Sequence, residues 1–196
     1  SWTEVNNLNT ARVGGGATGN TIQGLIFGGY VPAYTVNTEL WDGTSWTEVN
    51  NLPTAKAVFN ADIGTSTLAA ACGGALPGRT ATTEEWDFTS TLAAGTWATG
   101  TALNTGRSYT VVAGIQTAAL AINGGPHPKS VTESYDGSSW TEITDPNVAR
   151  TLAAGCGSQT AAIFFGGSPP DRALTELWDG SSWTESGDLN DARSNG

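Results

Sequence analysis

Five tryptophans, Trp2, Trp46, Trp97, Trp140 and Trp183, are each followed ten residues later by a basic residue: Arg12, Lys56, Arg107, Arg150 and Arg193. A fixed offset kept five times marks a tandem repeat. It constrains the fold more than composition does, because each copy must bury its apolar face against its neighbours. The flanks keep the same phase: SWTEVNNLNTAR, SWTEVNNLPTAK, TWATGTALNTGR, SWTEITDPNVAR and SWTESGDLNDAR. Glycine pairs recur at Gly28-Gly29, Gly73-Gly74, Gly124-Gly125 and Gly166-Gly167, each closing an apolar run. A third element follows, TELWDG, TEEWDF, TESYDG and TELWDG. It carries an aromatic (Trp41, Trp86, Tyr135, Trp178) and, two residues earlier, a glutamate (Glu39, Glu84, Glu133, Glu176).

These elements divide each repeat into four short strands. Strand a follows the basic residue, b is the apolar run before the glycine pair, c is TELW and d is SWTEV. Asp-Gly between c and d is a strong hairpin signal, since glycine supplies the positive φ a tight turn needs. GTST, GIQT and GSQT are short a–b turns. No stretch carries a helical apolar period, and the wealth of Thr, Ser, Asn and 26 Gly favours strands and turns. Four antiparallel strands per repeat is the pattern of a propeller blade. The expected fold is all-β: one β-propeller over 1–196, with repeats at 11–54, 55–105, 106–148 and 149–191. Residues 1–10 are expected to form an extra outer d strand, duplicating 182–191. Strand 1–5 could pair with 174–178, but 182–186 competes for that edge. The second repeat is longer because DFTSTLAAGTW replaces the short c–d turn.

The order apolar strand, Gly-Gly, aromatic and then Trp resembles the kelch repeat, and its wording resembles kelch-like repeats met in phage and environmental genomes. The likeness covers essentially the whole chain. In three repeats the two aromatics stand five apart, close to the family's spacing, while Trp86 and Trp97 are eleven apart. The resemblance implies a ring of blades around a central channel, commonly five to seven, with the aromatics packed between blades.

On this reading the repeated tryptophans, Tyr135 and the glycine pairs are scaffold, since large aromatics suit packing between twisted sheets. The glutamates and basic residues are expected to form a repeating ion pair between adjacent blades; a ring of carboxylates around a cation is the sharper alternative. The b–c loops, by contrast, differ from copy to copy: YVPAYTVN, ALPGRTAT, PHPKSV and SPPDRAL. They hold Tyr30, Tyr34, Arg79, His127, Lys129, Asp171 and Arg172, the candidate binding residues. In a four-stranded meander the b–c and d–a connections emerge on one face. Varied loops on a rigid scaffold are how binding surfaces are usually made.

The chemistry points away from catalysis. The sole histidine, His127, sits between prolines without a repeated partner, and nothing resembles a nucleophile elbow. GGGATG is not followed by a helix pattern or by Lys-Ser/Thr, so a phosphate loop is not expected. Two cysteines, Cys72 and Cys156, form no cluster with zinc spacing. No cofactor and no metal is expected. A net charge of −10 without a basic stripe argues against nucleic acid, and no apolar run suits a membrane span. The chain has no methionine, so it is expected to be a processed product or part of a longer protein. The expected function is non-enzymatic: recognition of protein or glycan on an extracellular or virion surface. Alternatives are a purely structural assembly propeller, homo-oligomeric through its open strand edge, or a hydrolase or lyase with channel-facing carboxylates.

Overall fold

Short Thr-, Val-, Ala- and aromatic-rich runs, cut by Asp-Gly and Gly-Gly, build sixteen blade strands in four antiparallel sheets. A computed structural model describes residues 3–58, 62–75, 78–88, 95–125, 128 and 130–194. Trp2, His127 and Lys129 lie outside them.

Blade 1 orders β1 (Gly16–Gly19), β2 (Gly24–Phe27), β5 (Thr38–Trp41) and β6 (Trp46–Val49). Its b–c loop folds into a small hairpin of β3 (Tyr30–Val31) and β4 (Ala33–Tyr34). Blade 2 holds β7 (Asp62–Gly64), β8 (Leu68–Cys72), β9 (Thr83–Asp87) and β10 (Thr96–Thr99). Blade 3 holds β11 (Val111–Ile115), β12 (Ala118–Ile122), β13 (Thr132–Tyr135) and β14 (Trp140–Ile143). Blade 4 holds β15 (Ala154–Gly157), β16 (Ala162–Phe165), β17 (Thr175–Trp178) and β18 (Trp183–Glu185). The fold is a four-bladed β-propeller, and no helix forms among the described residues. The innermost strands follow one another around the axis, β1 against β7, β7 against β11 and β11 against β15.

Register explains the aromatic spacing. Trp41 lies opposite Trp46, Tyr135 opposite Trp140 and Trp178 opposite Trp183. Trp86 lies opposite Trp97 in the same way, so the eleven-residue gap in blade 2 lengthens only the c–d hairpin. The c-strand indoles of Trp41, Trp86 and Trp178 donate to the a–b turn of their own blade, at Thr21 O, Ser66 O and Gln159 O. The d-strand indoles reach the preceding blade: Trp97 to Thr38 Oγ1, Trp140 to Thr83 Oγ1 and Trp183 to Thr144 O. Tyr135 crosses the same boundary to Glu85 at 2.6 Å, and burial with this bond pushes its phenol well above the usual value. In blades 2 and 4 one aromatic pair therefore ties turn to sheet and sheet to neighbour.

The segment read as an extra outer strand forms none over residues 3–10. A d strand needs a free c-strand edge. β5 is taken by β6, and β17 pairs with β18, Trp178 opposite Trp183. Residues 3–10 instead lie along blade 1, with Asn6 Nδ2 on Thr44 O and Asn9 Nδ2 on Trp46 O. Strand a also starts later than its residues suggest. The positions just after the basic residue bend through a left-handed backbone at Gly14, Tyr109 and Leu152 before the strand begins.

Burial is uneven around the ring. Leu25 and Phe27, Ala70 and Cys72, and Leu120 and Ile122 are buried on the face turned to the next blade, where Phe27 meets Trp97 edge-on at 4.8 Å. Their blade 4 counterparts, Ile163 and Phe165, are only half-buried, and Leu177 beside them is exposed. At the other end Ile26 and Trp46 of blade 1 are half-buried, and among the described residues the Trp46 indole N–H donates to nothing.

The Asp-Gly turns carry a testable electrostatic signature. In each, one aspartate oxygen accepts two successive backbone N–H groups, of Thr44 and Ser45, of Ser138 and Ser139, and of Ser181 and Ser182. Bonds from Ser138, then from the Ser139 and Ser138 amides, lower Asp136 to about 2; Ser181, then the Ser182 and Ser181 amides, lower Asp179 to about 2. Hydrogen bonds to the charged form lower a carboxyl pKa. The folded value lies below the usual aspartate value of 3.8, so the turns are supported above about pH 4 and lose that support as pH falls towards 2. A carboxyl-carbon NMR titration should show both aspartates titrating last among the exposed carboxylates. Ser138→Ala should raise Asp136 alone.

Candidate functional site

The repeated charges pair, one per blade. Arg12 meets Glu39, Lys56 meets Glu84 at 3.1 Å, Arg107 meets Glu133 at 2.9 Å and Arg150 meets Glu176 at 2.6 Å. All eight side chains are shielded from solvent. The expectation of pairs between adjacent repeats is corrected: each pair lies within one repeat. The residue at the end of the d–a linker reaches the c strand of the blade it leads into. Three of the cations also bond a b-strand carbonyl of that blade: Lys56 to Ala71 O, Arg107 to Ala121 O and Arg150 to Phe164 O. Arg12 bonds Gly28 O and Asn37 O. Arg150 also lies over the Phe164 ring at 4.1 Å. Burial pushes the Lys56, Arg107 and Arg150 pKa values down, and the facing glutamate pulls each back up.

The linker adds a further donor. The backbone N–H groups of Asn9, Asn104 and Asn147 bond Glu39, Glu133 and Glu176 at 2.7–2.8 Å. The equivalent in the second repeat is Pro53, which has no N–H. Glu84 and Glu133 each keep one oxygen with no hydrogen bond, although Lys56 Nζ and Arg107 Nη2 stand at ion-pair distance. Each carboxylate thus faces its own cation. Among the described residues no three His, Cys, Asp or Glu side chains gather into a metal cluster.

Arg193, the fifth basic residue, has no glutamate. Its side chain is 56 % exposed and its nearest acid is Asp191 at 3.9 Å. Its backbone is nevertheless docked, accepting from Gly167 N at 2.8 Å and donating to Arg172 O at 3.1 Å. The glycine pair makes this docking possible. Gly29 N bonds Lys56 O and Gly74 N bonds Arg107 O in the same way, and a Cβ on Gly28 would stand 2.5 Å from Lys56 O.

The loop candidates stand on stitched bases. In every blade the residue at or after the glycine pair bonds the first residue of strand a's approach: Tyr30 N to Val13 O, Ala75 N to Ala57 O, Gly125 N to Ser108 O and Ser168 N to Thr151 O, all within 2.7–2.9 Å. Above these, Tyr30 and Tyr34 face one another across the β3–β4 hairpin, ring centres 5.5 Å apart and edge-on. Arg79 is exposed and its Nε leans towards Gly125 of blade 3. Asp171 is exposed and Arg172 half-buried on blade 4. The tyrosines form one cluster; Arg79 and the Asp171–Arg172 pair sit on separate blades. Tyr109 was not legible as a candidate. It is exposed on the same edge of blade 3 with a left-handed φ of 56°, a conformation that non-glycine residues adopt rarely. The signal was its alignment with Gly14, two residues after the basic position.

No family model matches the chain, and no curated protein matches it. The likeness to kelch repeats rests on the repeat pattern and the blade architecture.

Proposed function

We propose that the chain is a non-enzymatic recognition module that presents its b–c loops to a protein or glycan, on an extracellular or virion surface. One observation carries this reading. The four loop bases are held by the same backbone bonds, while the loops above them differ and carry Tyr30, Tyr34, Arg79, Asp171 and Arg172. Rigid presentation lowers the ordering cost of binding, and tyrosine and arginine are residue types enriched at binding hot spots. A glycan array and a pull-down from cell or virion extracts test it. Substituting Tyr30, Tyr34, Arg79 and Lys129 together by alanine should abolish the binding found while the denaturation midpoint stays unchanged. Empty results in both assays, across pH and calcium, speak against it.

The half-buried end faces favour a second reading, an assembly propeller in which Ile163, Phe165 and Leu177 of one copy meet Ile26 and Trp46 of another. Light scattering decides: a concentration-dependent dimer dissolved by Leu177→Lys supports it, and a monomer at every concentration removes it.

A further inference from the structure

Each seam between repeats should be latched at its rim by one side chain. The residue four after the d-strand tryptophan bonds the carbonyl two before the next one. Asn6 bonds Thr44 O at 2.7 Å, Asn50 bonds Gly95 O at 2.7 Å and Thr101 Oγ1 bonds Ser138 O at 2.6 Å. The fourth member of the series is Thr144 facing Ser181. Here the latch is not made, and Thr144 is exposed.

The same seam is rearranged one layer deeper. Trp97 and Trp140 donate to the threonine that opens the preceding c strand. Trp183 donates instead to Thr144 O, and the corresponding Thr132 Oγ1 is left buried without a partner. Thr144 is therefore held by its backbone carbonyl while its side chain stays unlatched, and a groove of about 410 Å³ opens between blades 3 and 4. That volume lies within the roughly 300–1,000 Å³ usual for small-molecule sites.

The groove's chemistry is specific. It presents the hydroxyls of Ser134, Thr144, Thr160 and Ser181 and the Gln159 amide, with Ile143 as apolar surface. Among the described residues no charged side chain lines it. Gln159 is fixed in place, donating to Ser134 Oγ at 3.0 Å and to Tyr135 O at 2.5 Å. Neutral donors and acceptors around a small apolar wall match a ligand that is itself uncharged and hydroxyl-rich. An anion or cation would meet no countercharge.

We propose that this seam is a binding site for a short stretch of neutral glycan, created by the missing latch at Thr144. It is separate from the b–c loops, since blade 4 contributes to it through its a–b and c–d hairpins.

The test uses the whole chain and a panel of neutral gluco-, xylo- and manno-oligosaccharides, with sialylated oligosaccharides as charged controls, titrated by calorimetry and NMR. The protein should bind at least one neutral oligosaccharide and none of the charged ones preferentially. Thr144→Asn, which supplies the longer amide found at Asn6 and Asn50, should latch onto Ser181 O, fill the groove and weaken binding at least tenfold, with a thermal midpoint equal or higher. Thr160→Arg should weaken it as well by filling the opposite wall. The Tyr30, Tyr34 and Arg79 alanine variant should bind the neutral probe unchanged. The proposal is overturned if no neutral oligosaccharide binds, if both groove variants bind as the parent does, or if only the loop variant loses binding.

Discussion

Glu176→Ala should unfold at a much lower denaturant concentration than the parent, with a loss of about 3–5 kcal/mol, because it leaves Arg150 buried without its partner. Both side chains are fully shielded. Glu176 accepts from Arg150 Nη1 and from the Asn147 amide, so removing it strands two donors at once. The Arg150 Nη2 bond to Phe164 O and the contact over its ring do not replace a countercharge. Arg193→Ala is the matched control. It stands at the same place in the repeat, but its side chain is exposed and meets only Asp191 at 3.9 Å. Exposed pairs are worth about 0–1 kcal/mol, so the control should shift the midpoint little. A urea titration followed by tryptophan fluorescence separates the two outcomes. Equal effects at Glu176 and Arg193 would show that the buried pairs do not hold the blades. Replacing Arg150 and Glu176 together by Met and Leu should recover much of the loss, since an apolar pair of similar volume often does as well as a buried ion pair.

Trp86→Ala should cost a similar amount, about 3–5 kcal/mol, the usual range for deleting a large core aromatic. Trp86 is fully buried and donates to Ser66 O. It packs against Trp97 at 5.5 Å and Phe88 at 6.2 Å, and a Cβ on Gly95 would collide with its ring. The substitution therefore opens a cavity beside the Trp97 and Phe88 rings. Trp46→Ala is the informative comparison. Trp46 is a repeat tryptophan too, but it lies half-buried on the end face of blade 1 with its indole N–H unpaired among the described residues. Its loss should be clearly smaller. If Trp46 proved as costly as Trp86, the end face of blade 1 would be covered in solution, which is the outcome the assembly reading requires.

Most of the scaffold was legible because its signals are local. Asp-Gly fixes a turn through the positive φ of Gly43, Gly137 and Gly180. Gly-Gly ends each apolar b strand, and a constant offset between tryptophan and basic residue carries the pattern from copy to copy. The candidate site was only partly legible. Tyr30 and Tyr34 were singled out as loop residues, but that they cluster follows from a two-residue strand pairing no repeat announces. Tyr109 looks like an ordinary strand residue until its backbone is seen to take the glycine-like conformation. The Thr144 groove was invisible, because it arises from a hydrogen bond that is not made.

By itself the amino-acid sequence determined the number of complete repeats, the order of their four strands and the chemical identity of each repeated pair. These follow from offsets within one copy, where chain connectivity holds the partners within reach. Only the tertiary structure decided which copy of a duplicated element is used. Residues 3–10 and 183–185 carry nearly the same words, yet one lies along blade 1 without pairing as a strand and the other completes blade 4. The reason is competition for a single c-strand edge. β18 follows β17 through a short Asp-Gly turn and closes on it at little entropic cost, whereas residues 1–5 would have to close a loop nearly the length of the chain. The same holds for charge: five basic residues read alike, and four meet a glutamate on the c strand of their own blade, while Arg193 meets only Asp191.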